Sequence, residues 1–150
     1  MNHAPPKAYN ELVGRLLPHE DRVRLESVIG AMLTGGPPET VIICGPVRSG
    51  KTTLMKIVKR LVTLTVVGSG APRVLFQHDG FKLVELAHPT FVFAETNQPE
   101  APQGAIFLQT TGDRLPVNKY YVLMQQIDAE LDDIAEHCIQ TYHNNLENNR

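Results

Sequence analysis

Eight consecutive residues, Gly45-Pro46-Val47-Arg48-Ser49-Gly50-Lys51-Thr52, carry the densest chemical signal in the chain. Two glycines five positions apart, followed at once by lysine and threonine, satisfy the pattern G-x-x-x-x-G-K-[ST] in full. Glycine lets the backbone wrap closely enough that successive N–H groups face phosphate oxygens, and a helix starting next turns its positive end toward the same charge. In such a loop Lys51 reaches the β- and γ-phosphates of a nucleotide, and the Thr52 hydroxyl binds magnesium. Residues 45–53 therefore form the expected nucleotide-binding set, with ATP and Mg as its cofactors. Thr53 reads more naturally as a helix-start residue than as a ligand, and the Arg48 side chain as solvated.

These residues need a strand before them and a helix after them. The run "VIIC" just upstream is continuously apolar and β-branched, as in a strand buried on both faces, and Leu54, Ile57, Val58 and Leu61 downstream recur at helical spacing. Ahead of the strand, Leu12, Val13, Leu16 and Leu17 mark a short amphipathic helix. Pro18 opens a second helix that "TGGPPE" ends. Beyond the loop helix, the alternation around Asp79-Gly80 predicts a β-hairpin over residues 74–86. "TFVFAETN" and "AIFLQT" read as two further strands. Asn118, a good N-cap, then opens a single predicted helix running to about Tyr142, with Met124, Ile127, Leu131, Ile134 and Cys138 on its apolar face. Its acidic positions read as a solvated outer face and "HNNLENNR" as a frayed tail. The expected architecture is one α/β domain: an N-terminal helical segment (1–39), a nucleotide-binding core around a mainly parallel central sheet with a hairpin (40–117), and a C-terminal helix and tail (118–150).

Bulk composition narrows the partners. Fourteen basic against sixteen acidic residues leave a net charge of -2, so any nucleic-acid contact must be local. Cys44 and Cys138 stand far apart within apolar runs, which suits reduced core thiols of a cytoplasmic protein. The six histidines lack metal-ligand spacing and read as surface or helix-face residues. No apolar run approaches the roughly 20 residues of a membrane span, so no membrane partner is expected.

Three segments together carry a resemblance. The stretch "YNELVGRLLPHEDRVRLESVIGAMLTGGPPETVIICGPVRSGKTTLMKIVKRLV", the segment "TFVFAETNQPEAP" and the closing "GDRLPVNKYYVLMQQIDAELDDIAEHCIQTY" resemble the superfamily 3 helicase domain of phage and plasmid primase-helicases, a P-loop NTPase of AAA+-like type. The resemblance implies an oligomeric ATPase, a ring-shaped hexamer as in that family, acting on single-stranded DNA in phage or mobile-element replication beside other replication proteins. It puts Asn97 at the strand-end position that senses the γ-phosphate. It makes Arg114 the first candidate for an arginine finger, because residues 98–111 contain neither Arg nor Lys. A hairpin ahead of that strand would offer His78 and Lys82 to nucleic acid.

The paired acids that usually accompany such a loop have no clear counterpart. Asp79 fits a turn, Glu85 lies in the second hairpin arm, and Glu95 closes a strand that would lie beside the loop in a parallel sheet. Glu95 is thus the best-placed carboxylate, and Lys51, Glu95, Asn97 and Arg114 are the catalytic candidates. A second reading is a helicase-derived interaction protein that binds nucleotide, or keeps only the fold, without efficient hydrolysis. A small-molecule kinase is a weaker third reading, since no arginine-rich lid is present.

Overall fold

The computed structural model describes residues 4–65, 72–78, 80–98, 102–113 and 115–148. Among these, the chain order is α1 (Lys7–Leu16), α2 (His19–Thr34), β1 (Thr40–Cys44), α3 (Lys51–Val62), a 3₁₀ turn (Thr63–Thr65), β2 (Val74–Gln77), β3 (Phe91–Thr96), β4 (Ile106–Gln109), α4 (Val117–Ala129) and α5 (Leu131–Asn148). The four described strands form a parallel sheet in the order β2-β3-β1-β4.

The sheet's centre follows from composition. β1 and β3 are the apolar runs "TVIIC" and "FVFAET", and every residue of β3 is buried, as parallel strands covered on both faces require. Their register pairs Ile43 with Glu95 and Cys44 with Thr96. β4 flanks β1 on its other side, pairing Cys44 with Gln109. The strand order therefore diverges around β1, leaving a crevice beyond its C-terminal end, which is where open α/β sheets place their ligands.

Helices supply the rest of the core. α3 packs on β3, while α2 lies against β4 and along much of α5. Close approach at the α2–α5 crossing depends on Gly30, where an added Cβ would lie 2.3 Å from the Cys138 carbonyl oxygen. Gly35, at φ 81°, ends α2 in the left-handed conformation expected of the "TGG" stretch.

Two expectations are corrected. The hairpin over residues 74–86 does not form. β2 pairs in parallel with β3, and residues 81–90 contain no strand. Parallel pairing stacks Phe76 on Phe93 at 5.7 Å, whereas the would-be second arm leaves Leu83 90% exposed. The Gln77 side chain substitutes for the missing partner: its amide donates to the Lys82 carbonyl at 2.9 Å and accepts from the Lys82 N–H at 3.0 Å. Asp79, the expected turn residue, lies outside the described residues.

The single C-terminal helix is two. α4 starts after Pro116 and ends at Glu130, whose backbone leaves the helical region at φ -102°, ψ 3°. The Glu130 carboxylate accepts the backbone N–H groups of Ala8 at 2.9 Å and Tyr9 at 3.0 Å. α1 begins at Pro6 with no side-chain cap of its own, so a residue about 120 positions away satisfies its first orphan donors. α5 continues through most of the expected tail, to Asn148.

Candidate functional site

The loop between β1 and α3 is shaped by steric exclusion. At Gly45 a Cβ would sit 2.0 Å from Thr110 Oγ1 and 2.5 Å from Ser49 Oγ, so glycine alone fits. Gly50 adopts φ 96°, and its missing Cβ would strike Leu16 Cδ2 at 2.5 Å. Arg48, at φ 64°, is the one positive-φ residue other than glycine among those described. Left-handed residues at alternate positions are the backbone signature of an anion-binding nest. Strain of this kind, commonly about 1 to 3 kcal/mol per residue, persists when the surroundings over-determine it.

Here the surroundings are specific. Buried Ser49 Oγ accepts from Thr110 Oγ1 at 2.8 Å, and the Thr110 N–H donates to the Cys44 carbonyl at 2.9 Å. The Gly45 N–H donates to the Thr96 carbonyl at 3.1 Å, tying the loop to β3. β3 and the segment after β4 thus clamp the loop from both sides of β1.

Lys51 is the first residue of α3 and is buried, its ammonium donating to the Gly45 carbonyl. That contact holds the amine across the mouth of the loop. On the next residue, the Thr52 hydroxyl donates to Glu95 Oε1 at 2.9 Å. This uses the hydroxyl proton and leaves the oxygen's lone pairs for a cation.

Glu95 has a second partner, His78 Nδ1, 3.2 Å from Oε2. His78 Nε2 is in turn 2.6 Å from Lys59 Nζ, and that amine also lies 5.1 Å over the Phe76 ring. An ammonium can only donate, so Nε2 is the acceptor, the ring proton sits on Nδ1, and the imidazole donates to Glu95. Three parts of the fold, α3, the residue after β2 and β3, therefore converge in one chain of contacts: Lys59, His78, Glu95, Thr52.

Around this chain opens a cavity of about 420 Å³, lined by Val47, Lys51, His78, Gly80, Glu95, Thr96, Asn97 and Gln98. Asn97 is exposed at its edge, just beyond β3. A second cavity, also about 420 Å³, adjoins residues 47–53 and extends to α1 and the start of α4. Thr53 lines it, its hydroxyl 3.4 Å from that of Tyr120.

The structure thus brings Lys51, Thr52, Glu95 and Asn97 together with the loop, and it draws His78 into the same group rather than onto a projecting hairpin. Lys82 lines neither cavity and is held through its backbone by Gln77. Arg114 lies outside the described residues. Among the described residues no cluster of three or more His, Cys, Asp or Glu gathers that could hold a metal unaided. Thr52 Oγ1 and Glu95 Oε1 are the paired side-chain oxygens beside the loop. No described helix is long and apolar enough to cross a membrane.

A second buried carboxylate escaped the sequence reading. Glu26, 2% exposed, accepts from Tyr9 Oη at 2.7 Å and Arg22 Nε at 2.9 Å, and it lies 3.1 Å from His137 Nε2. The His137 Nε2 contact lies within ion-pair distance but is not aligned as a hydrogen bond. Burial pushes the Glu26 carboxyl upward, but His137, Arg22 and Tyr9 outweigh it and hold it below the ordinary value. Burial raises Tyr9 and Cys138 beside it, and both stay neutral. The Arg22–Glu26 spacing of four was the one signal in the sequence. Both cysteines are buried and unpaired.

Compared with known protein families, curated proteins and solved structures, the chain matches none.

Proposed function

We propose that the chain is a P-loop NTPase that binds Mg-ATP through residues 45–52 and hydrolyses it with Glu95. The observation that carries this reading is the Thr52–Glu95 contact. A glycine loop alone accounts for anion binding. A loop threonine whose proton is taken by a carboxylate from the adjacent strand is prepared to share a cation with phosphates. Bound magnesium would supply charge neutralisation across the β- and γ-phosphates.

The chain's own residues perform the remaining steps. Lys51 exchanges the Gly45 carbonyl for phosphate oxygens. Asn97, at the cavity edge, orients water or senses the γ-phosphate. Hydrolysis forms a bond from water oxygen to the γ-phosphorus and breaks the bond from that phosphorus to the bridging oxygen, whose electron pair leaves with ADP. The water proton passes to the Glu95 carboxylate, which His78 and Thr52 hold in place. A ring assembly with its neighbour's arginine, and action on single-stranded DNA beside replication proteins, follow from the motif resemblance and belong to the same proposal.

One observation favours a second reading. A single carboxylate among the described residues reaches the cavity, and both its oxygens are already engaged. A protein that binds nucleotide tightly without turnover, and uses the bound state to engage a partner, fits that geometry. Steady-state hydrolysis measured with and without single-stranded DNA separates the two. DNA-stimulated turnover that Lys51→Ala abolishes supports the ATPase, whereas tight Mg-ATP binding with no turnover establishes the second reading.

A further inference from the structure

The phosphate loop has a cavity on each flank, and the catalytic candidates explain one of them. We propose that the second cavity holds the nucleoside of the bound nucleotide and retains it by apolar packing without reading the base edge, so that ATP and GTP bind alike. The proposal rests on the phosphate-loop reading and specifies the ligand of that same site.

The cavity's size, about 420 Å³, falls within the range of small-molecule sites. Its walls come from opposite ends of the chain: Leu12 and Leu16 from α1, and Leu115, Val117 and Tyr120 from the entry to α4. Val117 leaves 70% of its surface in water at the rim, an apolar exposure that a planar base would cover. Tyr120 adds a flat aromatic surface, and its hydroxyl is already engaged with Thr53 at 3.4 Å.

Adenine and guanine differ only in the donors and acceptors along one edge. A site rejects the wrong base strongly when buried polar groups are built to match that edge, and weakly when the walls are apolar. Among the described residues, apart from the loop's own polar residues and the Thr53–Tyr120 pair, the cavity contributes one polar side chain, Asp113, which is exposed. A carboxylate in contact with water discriminates little, because solvent competes for both bases.

The test compares inorganic tripolyphosphate, ATP and GTP, each with magnesium, titrated into the full chain by calorimetry. ATP and GTP should bind within about threefold of each other and at least about tenfold tighter than tripolyphosphate. Tyr120→Ala and Val117→Asp should each weaken both nucleotides by about tenfold and leave tripolyphosphate within about twofold. The Val117 side chain is exposed, so that variant separates binding from folding. A preference above about tenfold for one purine nucleotide, above all one that Asp113→Asn removes, overturns the proposal. So does tripolyphosphate binding as tightly as the nucleotides. If tripolyphosphate and both nucleotides all fail to bind, the phosphate-loop reading falls and this one with it.

Discussion

Glu26 and Glu95 are both buried carboxylates, yet their surroundings are opposite in kind. Glu26 lies among helices, closed in by Tyr9, Arg22 and His137, and lines neither cavity beside the loop. Glu95 lies at the end of β3, with Thr52 and His78 as partners and an open cavity in front. The first arrangement holds α1, α2 and α5 in one geometry. The second can exchange its partners for a ligand. Burial of a charged group therefore does not by itself mark a functional site; access and exchangeable partners do.

Breaking each carboxylate should separate these roles. Glu26→Ala leaves the Arg22 guanidinium and the Tyr9 hydroxyl without their shared acceptor, and should cost about 3 to 5 kcal/mol of folding stability in chemical denaturation. Glu95→Gln should lower turnover by about 10²- to 10³-fold, while the denaturation midpoint moves little and Mg-nucleotide still binds. If Glu95→Gln unfolds the protein or leaves turnover intact, the contrast between the two regions is wrong.

Glycine substitutions sharpen the same contrast. Gly30→Ala forces a Cβ against the Cys138 carbonyl and should cost about 1 to 3 kcal/mol of stability by separating α2 from α5, with nucleotide affinity unchanged per folded molecule. Gly45→Ala meets Thr110 and Ser49 instead, and calorimetry should show lost phosphate binding as the main effect.

Acid is a gentler probe. The folded Glu26 carboxyl sits below its ordinary 4.5, so its contribution to stability is present in full above that value. The contribution is lost as pH falls through the lower folded value. Glu26→Gln should flatten the denaturation midpoint against pH in this range. The smallest effect is expected at His78, which acts through Glu95. His78→Ala should reduce kcat by about tenfold with KM unchanged, and His78→Asn, which keeps a donor near the Nδ1 position, should restore part of it.

What could be read in advance follows the range of each interaction. The loop 45–52, its flanking strand and helix, and the apolar faces of α1 and α3 are written in contiguous residues or at a spacing of three to four. Their geometry follows from local sterics. The expected hairpin does not form because the Asp79-Gly80 turn signal is local, while the competing partner, the wholly buried β3, is not. The break at Glu130 was invisible for the same reason: the apolar periodicity runs on through it, and the backbone groups it caps belong to α1.

From its residues alone the chain reads as α/β with a glycine-rich G-x-x-x-x-G-K-[ST] loop on a helix start, because glycine freedom and apolar spacing act within a few residues. Tertiary structure decided which carboxylate faces Thr52, since only the parallel pairing of Ile43 with Glu95 brings residues 43 positions apart to 2.9 Å. It also decided that the exposed His78 ring turns toward Glu95 and that a second cavity joins α1 to the start of α4. Those relations depend on strand order and helix packing, and no short window of residues encodes either.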